Sequence, residues 1–236
     1  YAESNSRHRQ VGALIDSAEV LFEKNLPAQA FKLLDKARES ATTFCDHHRL
    51  LEVAFWERKH IAQKESGDLN QALNDSLTAS ENVLKANQKF IDTARDYAWI
   101  LATDMKFGTV RKSDTKHKLE RLMAEMEQQS LENNDSLTQL TILSALSVGY
   151  SSLGEPEKKY IAERRSFELW QGLPEWCEAE PRRYLSTING LIYAAQGLKK
   201  YDEAYALIDK VREIKFDSPA SRADVFRFLA TYQLDF

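Results

Sequence analysis

The chain has 236 residues, a formal net charge of -4 and 43% hydrophobic residues, which is enough apolar surface for a sizeable core and too much for a disordered chain. Its 28 Leu and 26 Ala outnumber its 10 Ile and 8 Val, a balance that favours helices over sheets. The acidic balance argues against a nucleic-acid partner, which would require a basic stripe on the surface.

Apolar residues recur at three- and four-residue spacing through almost the whole chain, which predicts an all-α fold. In chain order, we expect helices over about residues 11–25, 27–41, 47–66, 69–84, 88–106, 119–126, 137–153, 156–170, 182–196, 202–214 and 219–236. The segment 109–113 is the one stretch with strand character, and we interpret it as a loop. No apolar run is long enough to cross a membrane, so we expect no direct membrane insertion of this segment.

Local signals mark several helix ends. Pro27 and Pro156 suit the first turn of a helix, where a missing N–H costs nothing. Asp46 can cap the helix that follows it. Ser136 and Gln139 have the spacing of a capping box, which predicts the start of the next helix at residue 137.

The most informative feature is a repeated helix-turn-helix cadence, clearest in the Tyr-Asp-Glu-Ala segment at residues 201–204. When the position near the start of each second helix is aligned, the recurring residues are Ala30, Ala72, Leu119, Lys159 and Ala204. Their intervals of about 40 to 47 residues indicate an array of helical hairpins.

This cadence resembles the tetratricopeptide repeat (TPR) family, in a form with longer and degenerate repeats. The residues that carry the resemblance are Tyr201, Ala204 and Ala195 in the last hairpin, Leu146, Tyr150 and Gly154 in the fourth, and Ala18, Ala30 and Ala37 in the first. The resemblance implies a right-handed superhelical solenoid of about five antiparallel helix pairs plus a C-terminal helix. It would form a single domain over residues 1–236, which could be part of a longer chain. A stack of unrelated hairpins is the alternative.

Many TPR domains bind peptides in the groove lined by their first helices. The resemblance therefore implies a non-enzymatic scaffold that captures a protein or peptide on its concave face. The candidate partner-binding residues are Asn189, Tyr193, Arg182, Glu57 and Ser144. The groove positions lack the Lys and Asn clamp with which chaperone-binding members hold a carboxylate.

A second class of function is the sensory region of a larger bacterial signalling protein, because TPR-like arrays precede kinase or DNA-binding domains in some regulators. The absence of an initiator Met at Tyr1 and the apolar last helix motivate this alternative. In that case the segment would be a soluble cytoplasmic or extracytoplasmic part of a membrane-anchored regulator.

The sequence has no glycine-rich phosphate loop and no nucleophile or zinc-protease motif, so we predict neither a cofactor nor an enzymatic activity. Cys45, His47 and His48 lie close together, but adjacent histidines point to different sides of a helix, and we predict no metal site there. Trp170 and Trp176 could form a binding hot spot with nearby arginines. We favour the alternative that they pack inside and staple the connection between two hairpins.

The two cysteines, Cys45 and Cys177, are far apart in a chain that is not rich in cysteine. Such usage does not indicate a disulfide framework. We therefore expect two buried thiols.

Overall fold

The computed structural model describes residues 4–63, 68–132 and 135–213. Every regular element within these ranges is helical, which confirms the predicted all-α class. The helices are α1 (Ser4–Glu23), α2 (Pro27–Thr43), α3 (His47–Lys59), α4 (Leu69–Phe107), α5 (Ser113–Gln129), α6 (Ser136–Leu153), α7 (Pro156–Gln171), α8 (Pro174–Ala179), α9 (Pro181–Gly197) and α10 (Tyr201–Glu213). A single 3₁₀ turn, Ile61–Gln63, follows α3.

The chain packs as two compact units, residues 1–92 and 93–236, which we call the N-terminal unit and the C-terminal unit. Helix α4 contributes residues to both of them. Each unit has a buried apolar cluster of its own. That residues 1–236 form one domain stays a prediction.

The N-terminal unit is centred on α2, which packs against both α1 and α3. Three alanines at these interfaces, Ala18, Ala30 and Ala37, are completely buried. Their short side chains let the helices approach closely, while Ile15 and Leu34 fill the remaining space in the same cluster. These alanines are the three residues that carry the TPR resemblance of the first hairpin.

In the C-terminal unit, α6 packs against α5 and α7, α7 also packs against α9, and α9 packs against α10. Helix α6 is apolar around most of its circumference, and such a helix must be covered on nearly all sides. Its large buried side chains are Leu140, Ile142, Leu143, Leu146 and Tyr150. Gly149 lets α5 approach, because a Cβ at this position would overlap the sulfur of Met123.

Several predicted helix ends are confirmed. Pro27 and Pro156 are the first residues of α2 and α7. The Asp46 carboxylate caps α3 by accepting a hydrogen bond from the Arg49 N–H at 3.2 Å. Gly154 ends α6 in the left-handed region with φ +73°, a conformation that favours glycine. Local chemistry therefore places these ends correctly.

The predicted break between residues 84 and 88 is wrong, because α4 runs without interruption over 39 residues. Residues 85–88 read Lys-Ala-Asn-Gln and contain neither Gly nor Pro, so nothing removes a backbone hydrogen bond there. As a consequence, the two helices expected on either side of residue 86 are one helix.

Other boundaries also differ from the prediction. Helix α1 begins at Ser4 rather than near residue 11, and α5 runs over Ser113–Gln129 rather than 119–126. Helix α3 ends at Lys59 rather than near residue 66, and the 3₁₀ turn follows. Asp135, not Ser136, caps α6, since its carboxylate accepts from the N–H and from the hydroxyl of Thr138, each at 2.9 Å. The connection between α7 and α9 contains the short helix α8. The helix expected over 219–236 lies outside the described residues.

Candidate functional site

Three of the five predicted site residues lie on one face of α9. Arg182, Asn189 and Tyr193 are separated by seven and four residues, which places them within about 40° of each other around a helix. Arg182 is exposed, Asn189 is half-buried and Tyr193 is 42% exposed. Ser186, four residues after Arg182, is exposed on the same side. We call these four residues the α9 face.

Packing fixes which way the α9 face points. The remaining sides of the helix carry the buried residues Tyr184, Leu185, Ile188, Leu191, Ile192 and Ala195. Helix α9 packs against α7 on one side and also against α10. Because burial of these apolar side chains sets the rotation of the helix, the α9 face is held in one orientation. Ser186 was not predicted, although its spacing from Arg182 and Asn189 is the signal that would have found it.

The α9 face is chemically suited to hydrogen bonding. A guanidinium, a hydroxyl, an amide and a phenol together offer several donors and acceptors along about 16 Å of helix. The Arg182 guanidinium is a donor that suits a carboxylate or carbonyl, and the Asn189 amide is both a donor and an acceptor. Arg182, Asn189 and Tyr193 each already have an interaction within the chain, which a ligand would share or replace. Such a row recognises a polar backbone and does not by itself perform a reaction.

Ser144 lies on α6 and is half-buried. Its hydroxyl donates to the Leu140 carbonyl of its own helix at 2.8 Å. With Leu137 and Val148, which are also half-buried, it forms a narrow partly exposed strip on an otherwise buried helix. Helices α6 and α9 share α7 as a neighbour.

Glu57 lies in the N-terminal unit, whereas the other four predicted site residues lie in the C-terminal unit. It is only 9% exposed. Its carboxylate accepts a short hydrogen bond from the Arg38 guanidinium, which joins α3 to α2. A partner could use Glu57 only after this ion pair opened, so its binding role stays a prediction.

Sequence reasoning missed a half-buried glutamate beneath α9, Glu163 on α7. Its Oε1 accepts a short hydrogen bond from the Ser147 hydroxyl of α6. Gly190 of α9 makes room for it, because an added Cβ would lie 2.5 Å from this oxygen. Burial raises the pKa of Glu163, while the Ser147 hydrogen bond and the charge of Lys159 act in the opposite direction. A glycine inside a predicted helix was the available signal of close packing.

Tyr97 and Arg183 belong to the same polar neighbourhood. Burial raises the pKa of the Tyr97 phenol, the charge of Arg183 lowers it, and the charge of Glu163 raises it. Tyr97 lies on α4, Glu163 on α7 and Arg183 on α9.

Trp170 and Trp176 are 1% and 3% exposed, so they are packing residues rather than a surface hot spot. Their rings meet edge to face with centroids 6.3 Å apart, and Tyr184 of α9 lies against Trp170. The Cys177 thiol donates to the Trp170 carbonyl at 3.3 Å. The prediction that the two tryptophans staple the connection between α7 and α9 is confirmed.

The Cys and His residues of the chain form no metal-binding constellation within residues 4–63, 68–132 and 135–213. His47 is buried and His48 is exposed.

Cys45 and Cys177 form no disulfide, and each is half-buried rather than fully buried. Burial raises the pKa of the Cys177 thiol.

Among the described helices, none combines the length and the apolar character needed to cross a membrane.

Comparison with known proteins identified no similar protein. No family model matches the chain, and neither a curated protein nor a solved structure is significantly similar to it.

Proposed function

We propose that the chain is a non-enzymatic, TPR-like scaffold that binds an extended segment of a protein or peptide partner. The observation that carries the proposal is the α9 face. It aligns Arg182, Ser186, Asn189 and Tyr193 on one exposed or partly exposed side of a helix whose opposite side is packed, and we place this side on the concave face of the array. A row of hydrogen-bonding side chains held by a rigid scaffold is a suitable docking site for a peptide.

The order of helix packing supports a repeat architecture. In the N-terminal unit α1 packs on α2 and α2 on α3, and in the C-terminal unit α6 packs on α7, α7 on α9 and α9 on α10. In TPR-like arrays the second helix of one hairpin likewise packs on the first helix of the next. We propose that the α1–α2, α6–α7 and α9–α10 hairpins belong to a right-handed superhelical solenoid with a C-terminal helix; the five helix pairs expected from the sequence would need α4 to be two helices, and it is one.

The dimensions of the α9 face favour an extended ligand. Its span of about 16 Å matches about five residues of extended peptide at about 3.3 Å per residue. Arg182 favours a ligand with a carboxylate or another acceptor near one end. A peptide of this kind would gain its affinity from backbone hydrogen bonds and its specificity from contact with the Tyr193 ring.

A phage-displayed library of random 12-residue peptides tests this function directly. Peptides selected on the whole chain are synthesised, and their dissociation constants are measured by isothermal titration calorimetry. We expect Asn189→Ala and Tyr193→Ala each to weaken binding by about tenfold or more, which corresponds to about 1.4 kcal/mol.

Matched controls make the same two types of substitution at exposed positions outside α9. Tyr201→Ala removes a tyrosine of similar exposure (49%) at the start of α10. Asn82→Ala removes an exposed asparagine of α4. Neither control should change the affinity. If selected peptides bind equally well to all four variants, or if no peptide is enriched, the α9 face is not the binding site.

A further inference from the structure

The Glu163 carboxylate of α7 lies between α6 and α9. Its Oε1 accepts from the Ser147 hydroxyl of α6, and both of its oxygens lie within 2.7 Å of the position that a Cβ on Gly190 of α9 would take. Its Oε2 forms no hydrogen bond or ion pair with any residue that the structure describes. No buried side-chain oxygen in the described ranges lacks a hydrogen-bond partner, so Oε2 is open to solvent.

Helices α6 and α9 both pack on α7 and run in the same direction. Helices α6 and α7 are antiparallel neighbours joined by residues 154–155. Along α7, Glu163 lies against Gly190, whereas Phe167 stacks on Tyr184, which comes earlier in α9. Helix α7 is therefore antiparallel to α9 as well. Two helices that are antiparallel to the same helix are parallel to each other.

The α9 face lies on the same side of this parallel pair as the partly exposed residues of α6. We call the half-buried residues of that helix the α6 strip: Leu137, Ser144 and Val148. Gly190 is about 70° around α9 from the centre of the α9 face, and Ser147 is about 80° around α6 from the centre of the α6 strip, in the opposite rotational sense.

Opposite rotations have a simple consequence for parallel helices. Because Ser147 and Gly190 both point at the Glu163 carboxylate, the α6 strip and the α9 face must lie on the same side of the pair. They form the two walls of a groove, and Glu163 lies at its floor.

No cation contacts Glu163 directly within the part of the chain that the structure describes. Lys159 acts on it through its charge alone, and Arg183 lies over the Trp170 ring at 5.9 Å. The charge of Glu163 also raises the pKa of the Tyr97 phenol on α4, so a second oxygen lies near this floor. Burial still raises the pKa of Glu163, which shows that its neighbours do not fully offset the hydration that its carboxylate has lost.

We propose that the groove between the α9 face and the α6 strip binds its partner through a lysine or arginine side chain, whose cation contacts Oε2 of Glu163. This inference rests on the proposed docking function of the α9 face and adds the chemistry of its ligand. An ammonium or guanidinium group donates charge-assisted hydrogen bonds to a carboxylate. At this position it would also supply the counter-charge that the chain itself does not place in contact with Glu163.

The spacing between Arg182 and Glu163 sharpens the expected ligand. Arg182 precedes Gly190, which marks the level of Glu163, by eight residues of α9. This is about 12 Å along the helix, a distance that about four residues of extended peptide cover. The groove therefore suits a segment with an acidic residue and a basic residue about four positions apart.

Two small probes test the cation site without any peptide. N-acetyl-L-argininamide carries a guanidinium group, and N-acetyl-L-citrullinamide is its neutral isostere. Each is titrated into the whole chain at neutral pH, and the amide resonances of Ser147 and Gly190 are followed by NMR. We expect the arginine probe to bind with a dissociation constant of about 1–10 mM and the citrulline probe to bind at least about tenfold more weakly.

A charge-removing variant and a matched control assign the site. Glu163→Gln keeps an oxygen that can accept from Ser147, so the variant should fold and should lose the preference for the arginine probe. Glu157→Gln makes the same change at an exposed position of α7 and should keep that preference. Equal binding of both probes to the wild type, or an unchanged preference in Glu163→Gln, would overturn the inference.

The random peptide library then separates this inference from the docking function. Peptides selected on the wild type should be enriched in Lys or Arg about four positions from Asp or Glu, and those selected on Glu163→Gln should lose this enrichment. Peptides that bind the α9 face with no basic residue in common would overturn the inference and leave the docking function intact. A wild type that prefers the arginine probe but selects no peptide would support the cation site and overturn the docking function.

Discussion

Each unit holds a glutamate between helices, buried in the N-terminal unit and half-buried in the C-terminal unit, and gives it a different partner. Glu57 in the N-terminal unit pairs with the guanidinium of Arg38. Glu163 in the C-terminal unit accepts from the hydroxyl of Ser147 and lies against Gly190. The first carboxylate has a direct counter-charge and the second has a neutral donor.

The difference shows that the hydrogen-bond partner of a carboxylate determines how much its loss of hydration lowers the stability of the folded protein. A guanidinium within hydrogen-bonding distance offsets the loss of hydration of a carboxylate. A hydroxyl offsets less of it, and burial therefore raises the pKa of Glu163. The stability of the protein should therefore fall when Glu57 loses Arg38. In contrast, ionisation of Glu163 should itself lower stability.

The largest expected effect is the loss of the cation in the N-terminal unit. Arg38→Ala leaves the Glu57 carboxylate mostly buried without its counter-charge. We expect a loss of about 1–2 kcal/mol, reduced from the value for a fully buried pair because Arg38 is partly exposed. Urea unfolding measures it.

A surface pair supplies the control for this change. Arg121 and Glu125 of α5 form an ion pair whose side chains are 70% and 52% exposed. Arg121→Ala should change stability by less than about 0.5 kcal/mol. If Arg38→Ala costs no more than Arg121→Ala, the Glu57 pair does not stabilise the N-terminal unit.

A smaller effect is expected from removing the charge of Glu163. Because the folded pKa is raised, the contribution of this group is fully present below its unfolded pKa of about 4.5 and is lost as the pH rises through the folded value. Glu163→Gln cannot ionise, so its stability relative to wild type should increase with pH above about 4.5 and then level off. The slope for one proton cannot exceed about 1.4 kcal/mol per pH unit.

Urea unfolding of the wild type and Glu163→Gln at pH values from about 4 to about 8 checks this prediction. Glu23→Gln, at an exposed position of α1, is the matched control and should leave stability unchanged. A Glu163→Gln variant that is destabilised at every pH would mean that the Ser147 hydrogen bond requires the carboxylate.

The smallest expected effect is the difference in stability between alanine substitutions at two glycines of α9. Gly197 has no atom within 4 Å of an added Cβ, so Gly197→Ala should stabilise by about 0.5 kcal/mol through helix propensity. At Gly190 the Cβ would displace the Glu163 carboxyl, so Gly190→Ala should show no such gain. Thermal unfolding measures both. The gain should return when Gly190→Ala is combined with Glu163→Ala; an equal gain in both single variants would contradict the packing at Gly190.

The sequence predicted the helical class and most helix starts, because those depend on neighbours only a few residues away. Pro27, Asp46 and Gly154 each act within one turn of the backbone. It also predicted the α9 face in part, since residues at seven- and four-residue spacing share a side of any helix. It did not predict the continuity of α4, since two helices were expected over 69–84 and 88–106 and the chain forms one helix there.

Sequence alone thus determined an all-α chain, most of its helix starts and part of one row of hydrogen-bonding side chains. Only the tertiary structure decided which polar groups meet across helices. The Arg38–Glu57 pair spans 19 residues of sequence and the Ser147–Glu163 pair spans 16. Helical periodicity and capping extend over about four residues. No local pattern specifies a partner at those larger separations, because that pairing depends on how the helices pack.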